Sequence, residues 1–400
     1  MDHIWLIAAL WLGLAIAATF LAHWLRLPTP VCEIAVGALA PVALAPLLGK
    51  DVLNPATPWV VFLAGAGSML LVFLAGSELD PVVVRGTWKE SLLVAFAGFA
   101  LPFLGVAAVA HYLLGWSAQA CWIAAVALST ASVSVAYTIM LELGLSHTGL
   151  GQGLLSSSYL NNLFSAVAMS VVIAPFTVRT LVLVATSAVI FMLLPLVSSK
   201  VFGRFRSRVS QPDVRFLLLL LFGMGGFSVW AGGEVVLPAY IMGMVLAGLV
   251  GRNHALIHHL RVVTFGILTP FYFLRAGTQM QIPAVAGAPL LFLTLLAAKL
   301  ISKLIGVVPA MTVFEYTRRE SAYCSLMLST GLAVGSIAAS LGLARGLLDQ
   351  TQYSHLIAAV VGSAVIPTTL ANKFALPKHL IMEPAQPAPS KRSRRAQVGR

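Results

Sequence analysis

The sequence predicts an all-α polytopic membrane protein of about thirteen transmembrane helices, and three observations predict it. Hydrophobic residues make up 59% of the 400 and charged residues only 10%, where a soluble domain carries about 25% charge. The apolar runs are long enough to cross a hydrocarbon core about 30 Å thick and far too long for barrel strands. The basic residues are also uneven. With the N-terminus outside, 19 of the 25 Lys and Arg fall in inner loops or the tail and 4 in outer loops. That is the positive-inside bias, and it places the C-terminus in the cytoplasm.

The segments follow in order. The first, 3–25, has no Lys or Arg ahead of its apolar run and carries Asp2, so it reads as a retained helix rather than a signal peptide. The second, 29–49, is punctuated by Pro28 and Pro30. Segments three and four cover 57–77 and 89–114, five covers 119–144, and six covers 151–176. Segments seven and eight cover 179–200 and 214–232. The glycines of FGMGGF, 222–227, sit inside the eighth, where no strand precedes them, which argues against a dinucleotide site. The ninth, 235–251, is short and has Pro238 near its start. The last four cover 261–277, 286–314, 319–343 and 352–376. Residues 1–378 thus form one transmembrane domain. Residues 379–400, with EPAQPAPS and KRSRRAQVGR, read as a disordered basic tail suited to anionic lipid. The net charge of +12 is accounted for by topology and calls for no nucleic acid.

Composition also excludes most chemistry. Cys32, Cys121 and Cys324 lie in apolar segments without metal-ligand spacing. No HExxH is present and no triad suggests itself, so the expectation is a protein that is not an enzyme and needs no cofactor.

Segments five and twelve share a phrase. Leu128-Ser129-Thr130 in ALSTASVSVAY recurs as Leu328-Ser329-Thr330 in MLSTGLAVGSIA. Among thirteen crossings these two run in opposite senses. Both are rich in small hydroxylated residues, as expected of broken helices in the inverted repeats of secondary transporters, or of close helix packing. Ionisable and amide side chains at membrane depth are costly and mark function. Lys299 and Lys303 share one face of segment eleven. Two ammonium groups there repel, which makes one a candidate proton carrier; a lysine can instead anchor the carbonyls of a broken helix, and the two roles are compatible. Asn161 and Asn162 fall near mid-depth in segment six, able to meet a cation or to bond neighbouring helices. Glu33, which opens segment two, Glu78, with Asp80 beside it, and Glu234 are all compatible with solvated interfacial positions, and of these only Glu33 is also a candidate gate or funnel residue.

Taken together, these phrases resemble the monovalent cation:proton antiporters of the second large bacterial class, the Na⁺/H⁺ and K⁺/H⁺ exchanger type, over roughly residues 5–375. RLPTPVCEIAVGALAP is similar to the family's second helix, LLVFLAGSELDP to the end of its third, and ALSTASVSVAYTIMLELGL to its first crossing helix. TPFYFLRAGTQMQI resembles the Phe-rich helix and LISKLIGVVPA the lysine helix. The match is strongest over LSTGLAVGSIAASLGLARGLLDQTQYSHLIAAVVGSAVIPTTLA. The resemblance implies an inverted-repeat Na⁺/H⁺ antiporter-like fold with two crossing broken helices. It implies a core of about 89–176 and 286–376, with the other helices forming a dimerisation scaffold. It further implies a homodimer in the bacterial inner membrane that works by alternating access, with the family's lysine at Lys303. The family carries Asp-Asp or Asn-Asp where this chain has Asn161-Asn162, so the carboxylate that would bind cation and proton in turn is missing. The expected site is therefore Asn161, Asn162, Lys303, Lys299 and the hydroxyls of Ser129, Thr130, Ser329 and Thr330, with Na⁺ or K⁺ held transiently at Asn162. Two alternatives stay open at this point: a transporter of an anion or weak acid using the lysines, and a transport-inactive or regulatory relative.

Overall fold

Proline and glycine punctuation sets where the helices begin and end. The computed structural model describes residues 4–48, 52–79, 86–143, 145, 148–173, 177–204, 211–250 and 254–377. α1 (Ile4–Leu25) stops at Arg26, whose φ of 55° is left-handed, and Pro28 blocks its continuation. The chain then turns back into α2 (Thr29–Leu48). α3 (Pro58–Ser77) opens on a proline whose missing N–H would have had no helical partner. α4 (Trp88–Ala108) runs into a π turn, Val109–Leu113, and ends at Gly115, with φ of 66°. α5 (Ala118–Ser129) is capped by Ser117, which accepts from the Ala120 N–H. There follow α6 (Val133–Glu142), α7 (Gly149–Ile173), α8 (Val178–Arg204), α9 (Pro212–Trp230), α10 (Val236–Val250) and α11 (His254–Val263). A π turn, Thr264–Leu268, joins α11 to α12 (Thr269–Thr278). Pro270 explains this wide turn, because it offers no N–H to the carbonyl of Gly266. The short α13 (Ile282–Gly287) precedes α14 (Pro289–Thr312). α15 (Arg318–Leu328) and α17 (Gln350–Leu370) open on capping boxes, Thr317 with Glu320 and Asp349 with Gln352, and α16 (Ala333–Ala344) lies between them.

The described chain is all-helical and multi-pass. Ten helical stretches, with α5–α6 and α11–α12 each taken as one span, are long and apolar enough to cross a membrane, or eleven when the bent pair α15–α16 counts as one. The sequence expected about thirteen. The difference lies in the sixth and ninth segments: α7 has the length but carries its serines and two asparagines, and α10 spans only 15 residues. Two boundaries also move. The tenth segment begins earlier, at Ala255, and Ala288 splits the start of the eleventh. The tail at 379–400 lies outside the described residues. So do Lys50, Asp80, Arg85, Arg206, Arg208, Arg252 and Lys378.

The helices sort into two groups by packing. In one, α4 lies along α14, α5 and α7, while α16 packs on α5 and α17 on α14. In the other, α10 lies along α3, and α12 along α2 and α3. Two seams of the second group have the same geometry. A methyl built on Gly37 of α2 would collide with the Leu274 carbonyl, and one on Gly277 of α12 with the Ile34 carbonyl. A methyl on Gly243 of α10 would meet the Phe73 carbonyl, and one on Gly76 of α3 the Tyr240 carbonyl. In each case the carbonyl lies three residues before the partner's glycine. The α2–α12 and α3–α10 seams therefore share one reciprocal geometry, as two copies of a repeated unit would. The backbones touch where lipid offers no hydrophobic drive for association, so close packing holds them together.

Candidate functional site

Both breaks arise from the same local chemistry. α5 stops at Ser129 and α6 begins at Val133; α15 stops at Leu328 and α16 begins at Ala333. The hydroxyls at each break fold back on their own helix. Ser129 Oγ donates to the Val126 carbonyl at 3.0 Å and Thr130 Oγ1 to that of Ala127 at 3.0 Å. Ser329 Oγ donates to the Ser325 carbonyl at 2.8 Å and Thr330 Oγ1 to that of Met327 at 2.7 Å. Such bonds compete with the helical ladder and favour its end.

Unwinding at membrane depth leaves backbone groups that need partners. Asn162 Oδ1 accepts from the Ala131 N–H at 3.1 Å, and Asn161 Nδ2 donates to the Ser129 carbonyl at 2.9 Å. Lys303 Nζ donates to the Thr130 carbonyl at 3.3 Å, the Leu328 carbonyl at 2.5 Å and Asn161 Oδ1 at 3.2 Å. Three donors meet three acceptors, the full capacity of an ammonium group. One side chain thus ties together both breaks and α7. It also rests on the C-terminal ends of α5 and α15, whose dipoles favour positive charge. Gly331 lets the two breaks cross, since any side chain there would run into Thr130 and Lys299 Nζ. Lys299 Nζ turns away to Ser363 Oγ of α17 at 3.0 Å. Both lysines, Asn161 and the four hydroxyl residues of the breaks are fully buried, and Asn162 is nearly so.

The structure therefore brings Asn161, Asn162, Lys303, Ser129 and Thr130 to one crossing, with Lys299 beside it. Ser329 and Thr330 lie at the second break, yet their hydroxyls bond their own helix; the Leu328 carbonyl is what reaches Lys303. The sequence could not indicate that carbonyl, because a backbone oxygen has no residue type. Ser363 was likewise overlooked, in a run of small apolar residues without a cue. Glu33 lies in α2, away from the crossing, and is buried. It lines a cavity of about 1130 Å³ that reaches Ser132, inside the first break, and Ala333, where α16 begins.

Glu78 and Glu234 correct the reading of them as merely solvated. Glu78 pairs with Arg261 at 2.7 Å, and Glu234 with Arg345 at 2.7 Å. Burial raises the Glu234 carboxyl above the usual carboxylate range, while Arg345 pulls it back down. Among the described residues no group of three or more His, Cys, Asp or Glu is placed to hold a metal ion.

Two oppositely running broken helices, crossing at a buried ammonium inside inverted repeats, define a secondary transporter. Comparison with known proteins narrows the class. The model of the sodium/hydrogen exchanger transmembrane family matches residues 11–372, and the chain belongs to that family. The resemblance to monovalent cation:proton antiporters thus holds. A probable Na⁺/H⁺ antiporter 3 of Methanocaldococcus jannaschii is 25% identical over 329 residues, 78% of this chain and 83% of that protein. The Na⁺/H⁺-K⁺ antiporter GerN of Bacillus cereus is 22% identical, over 76% of this chain and 80% of its own. Cation/H⁺ antiporter 15 of Arabidopsis thaliana is 28% identical, but the match covers only 40% of that longer protein and 76% of this chain. Among solved structures, the sodium proton antiporter MjNhaP1 of M. jannaschii at pH 8 superimposes with a TM-score of 0.69 at 12% identity, over 91% of this chain and 95% of its own.

Proposed function

We propose that the protein exchanges a monovalent cation, Na⁺ or K⁺, for a proton by alternating access. The observation that carries this reading is the coordination of Lys303. The Thr130 carbonyl, the Leu328 carbonyl and Asn161 Oδ1, which now accept from its ammonium, are the neutral hard oxygens that a dehydrated alkali cation also needs. Cation and ammonium compete for one set of acceptors. When Lys303 gives up its proton to water it releases these oxygens, and a cation takes them with help from Asn162. When it regains a proton the cation is displaced. One charge replaces another, so the exchange proceeds without a site carboxylate. The family's relatives named for cation/proton antiport support the same reading. An anion carrier is less well supported, because the ammonium that would attract the anion is already saturated by protein oxygens.

α4–α7 and α14–α17 would move as the core against a scaffold of α1–α3 and α8–α12, the surface through which two copies would form a homodimer. The cavity lies toward the end of the bundle that carries Arg26 and Asn372, which the charge bias makes cytoplasmic. Polar bonds join the two groups beside α7, where Tyr159 Oη donates to the Glu78 carbonyl at 2.7 Å and Tyr240 Oη to the Tyr159 carbonyl at 2.8 Å, and again at the opposite end. Arg345 pairs with Glu234, Tyr353 Oη donates to the Ala276 carbonyl at 2.8 Å, and the Gln281 N–H donates to Ser354 Oγ at 2.8 Å. The conformation is then inward-facing, in a cell membrane of bacterial inner-membrane type with the N-terminus outside.

The test is exchange in everted vesicles. Adding Na⁺, Li⁺ or K⁺ is expected to collapse a preset ΔpH across about pH 6–9. No response to any of the three would end this reading.

A further inference from the structure

The crossing has a proton carrier but no negative charge, and the charge lies elsewhere in the molecule. Glu33 is 4% exposed. Its Oε2 has no hydrogen-bond partner among the described residues, and neither has the buried Oγ1 of Thr269. Buried polar atoms are almost always partnered, and an orphaned one calls for an explanation. Two orphans lining one cavity, from helices that pack together, share one. Glu33 on α2 and Thr269 at the start of α12 both face the cavity of about 1130 Å³. The cavity's remaining charged lining residue is Arg26, at the mouth, and it forms no ion pair with Glu33. The π turn before Pro270 contributes to this arrangement. It leaves Thr264 Oγ1 unpartnered as well and sets Thr269 at the head of a new helix. On its far side the cavity reaches Ser132 and Ala333, next to the breaks that Lys303 holds.

We propose that Glu33 and Thr269 form a binding site for a monovalent cation, on the path between the cavity mouth and the crossing. The carboxylate and the hydroxyl supply hard oxygens, and Ser132 lines the same space. A single carboxylate balances one positive charge. A divalent ion of the calcium type would ask for several carboxylates and six or more oxygens, and none but Glu33 lines this cavity. The site concentrates the cation at a negative charge one step from the neutral oxygens of the crossing. It supplies the attraction that Asn162 cannot. This inference deepens the antiport reading and rests on it for the role of the site, though not for binding itself.

The experiment separates the two. Purified full-length protein is titrated with Na⁺, K⁺ and Li⁺ against choline at constant ionic strength, with thermal stabilisation and radiolabelled Na⁺ binding as readouts. The same variants are assayed for exchange in vesicles. Wild type is expected to bind at least one of the three saturably. Glu33→Gln should weaken that binding by about tenfold or more, and Thr269→Val by about threefold. Glu33→Asp, which keeps the charge, should retain binding with an altered order among the three ions, and it carries the test should Glu33→Gln not fold. Binding lost in Glu33→Gln with no exchange in wild type keeps this site and removes the antiport reading. Exchange in wild type with binding unchanged in Glu33→Gln overturns the site and leaves antiport standing. Absence of binding of all three ions in wild type overturns the site as well.

Discussion

The crossing of the two breaks and the cavity beneath Glu33 are both polar and both buried, but one is satisfied and the other is not. At the crossing Lys303, Asn161 and Asn162 meet the free backbone groups of α5 and α15 directly, through bonds of 2.5–3.3 Å. In the cavity a carboxylate oxygen and a hydroxyl have no protein partner among the described residues. The difference separates two tasks. A saturated network holds the breaks open and positions the oxygens, whereas the unpartnered groups keep bonding capacity that the protein itself does not use. The crossing is held by two amides and an ammonium with no carboxylate among its bonding partners, and Glu33 lies on a different helix.

Removing the lysine breaks this comparison most severely. Lys303→Met leaves two carbonyls and the Asn161 amide oxygen without a donor, at about 1–3 kcal/mol for each buried acceptor. Exchange is expected to fall below detection and the melting temperature to drop clearly. Retained exchange in a folded Lys303→Met would show that the proton travels by another group. A smaller change sharpens the comparison. Asn162→Asp places a carboxylate next to the first break and gives the crossing its own charge. The cation concentration for half-maximal ΔpH collapse should fall about tenfold. In the double variant with Glu33→Gln, most of that gain should survive, because the charge no longer has to come from the cavity. If Asn162→Asp changes neither affinity nor rate, cations do not pass the crossing at this residue.

Much of this was legible in the sequence, for identifiable physical reasons. The fold class followed from long apolar runs, and the two breaks from the repeated Leu-Ser-Thr, whose hydroxyls compete with the helix that contains them. Asn161, Asn162 and Lys303 stood out because polar side chains at membrane depth are costly. What escaped was of three kinds. The Leu328 and Thr130 carbonyls were invisible because backbone atoms do not appear in residue type. The α2–α12 and α3–α10 seams were hidden because glycine is common, and only the fold shows which glycines abut a carbonyl. The orphaned Thr269 hydroxyl depends on the π turn before Pro270, a backbone detail no periodicity reveals. The count of about thirteen crossings leaned on α7 and α10, whose polarity and shortness keep them short of the apolar length a free-standing span requires.

The mildest perturbation lies at the end of the bundle opposite the cavity. There Arg345 is 40% exposed and Glu234 only 9% in their side chains. A pair so open on one side is worth at most about 1 kcal/mol, so its loss should shift a conformational balance rather than unfold the protein. Burial raises the Glu234 carboxyl even with Arg345 beside it. The folded protein therefore takes up this proton at a higher pH than the unfolded chain does. The carboxyl's contribution to stability is greatest at low pH and declines as pH rises through its folded value. The ion pair behaves in the opposite way: it is intact above that value and is lost on acidification. Because the raised value belongs to the closed seam, mild acid should favour that seam over an opened one in which Glu234 is solvated, even though the ion pair itself is lost. Glu234→Gln would hold the seam in its protonated-like, closed form at every pH. Accessibility of a cysteine introduced at the mouth of the cavity should then rise by about twofold at neutral pH, as the population shifts toward the form in which the cavity is open, and should no longer respond to acid over the Glu234 range. An unchanged pH response in Glu234→Gln would assign the acid sensitivity of the seam to another group.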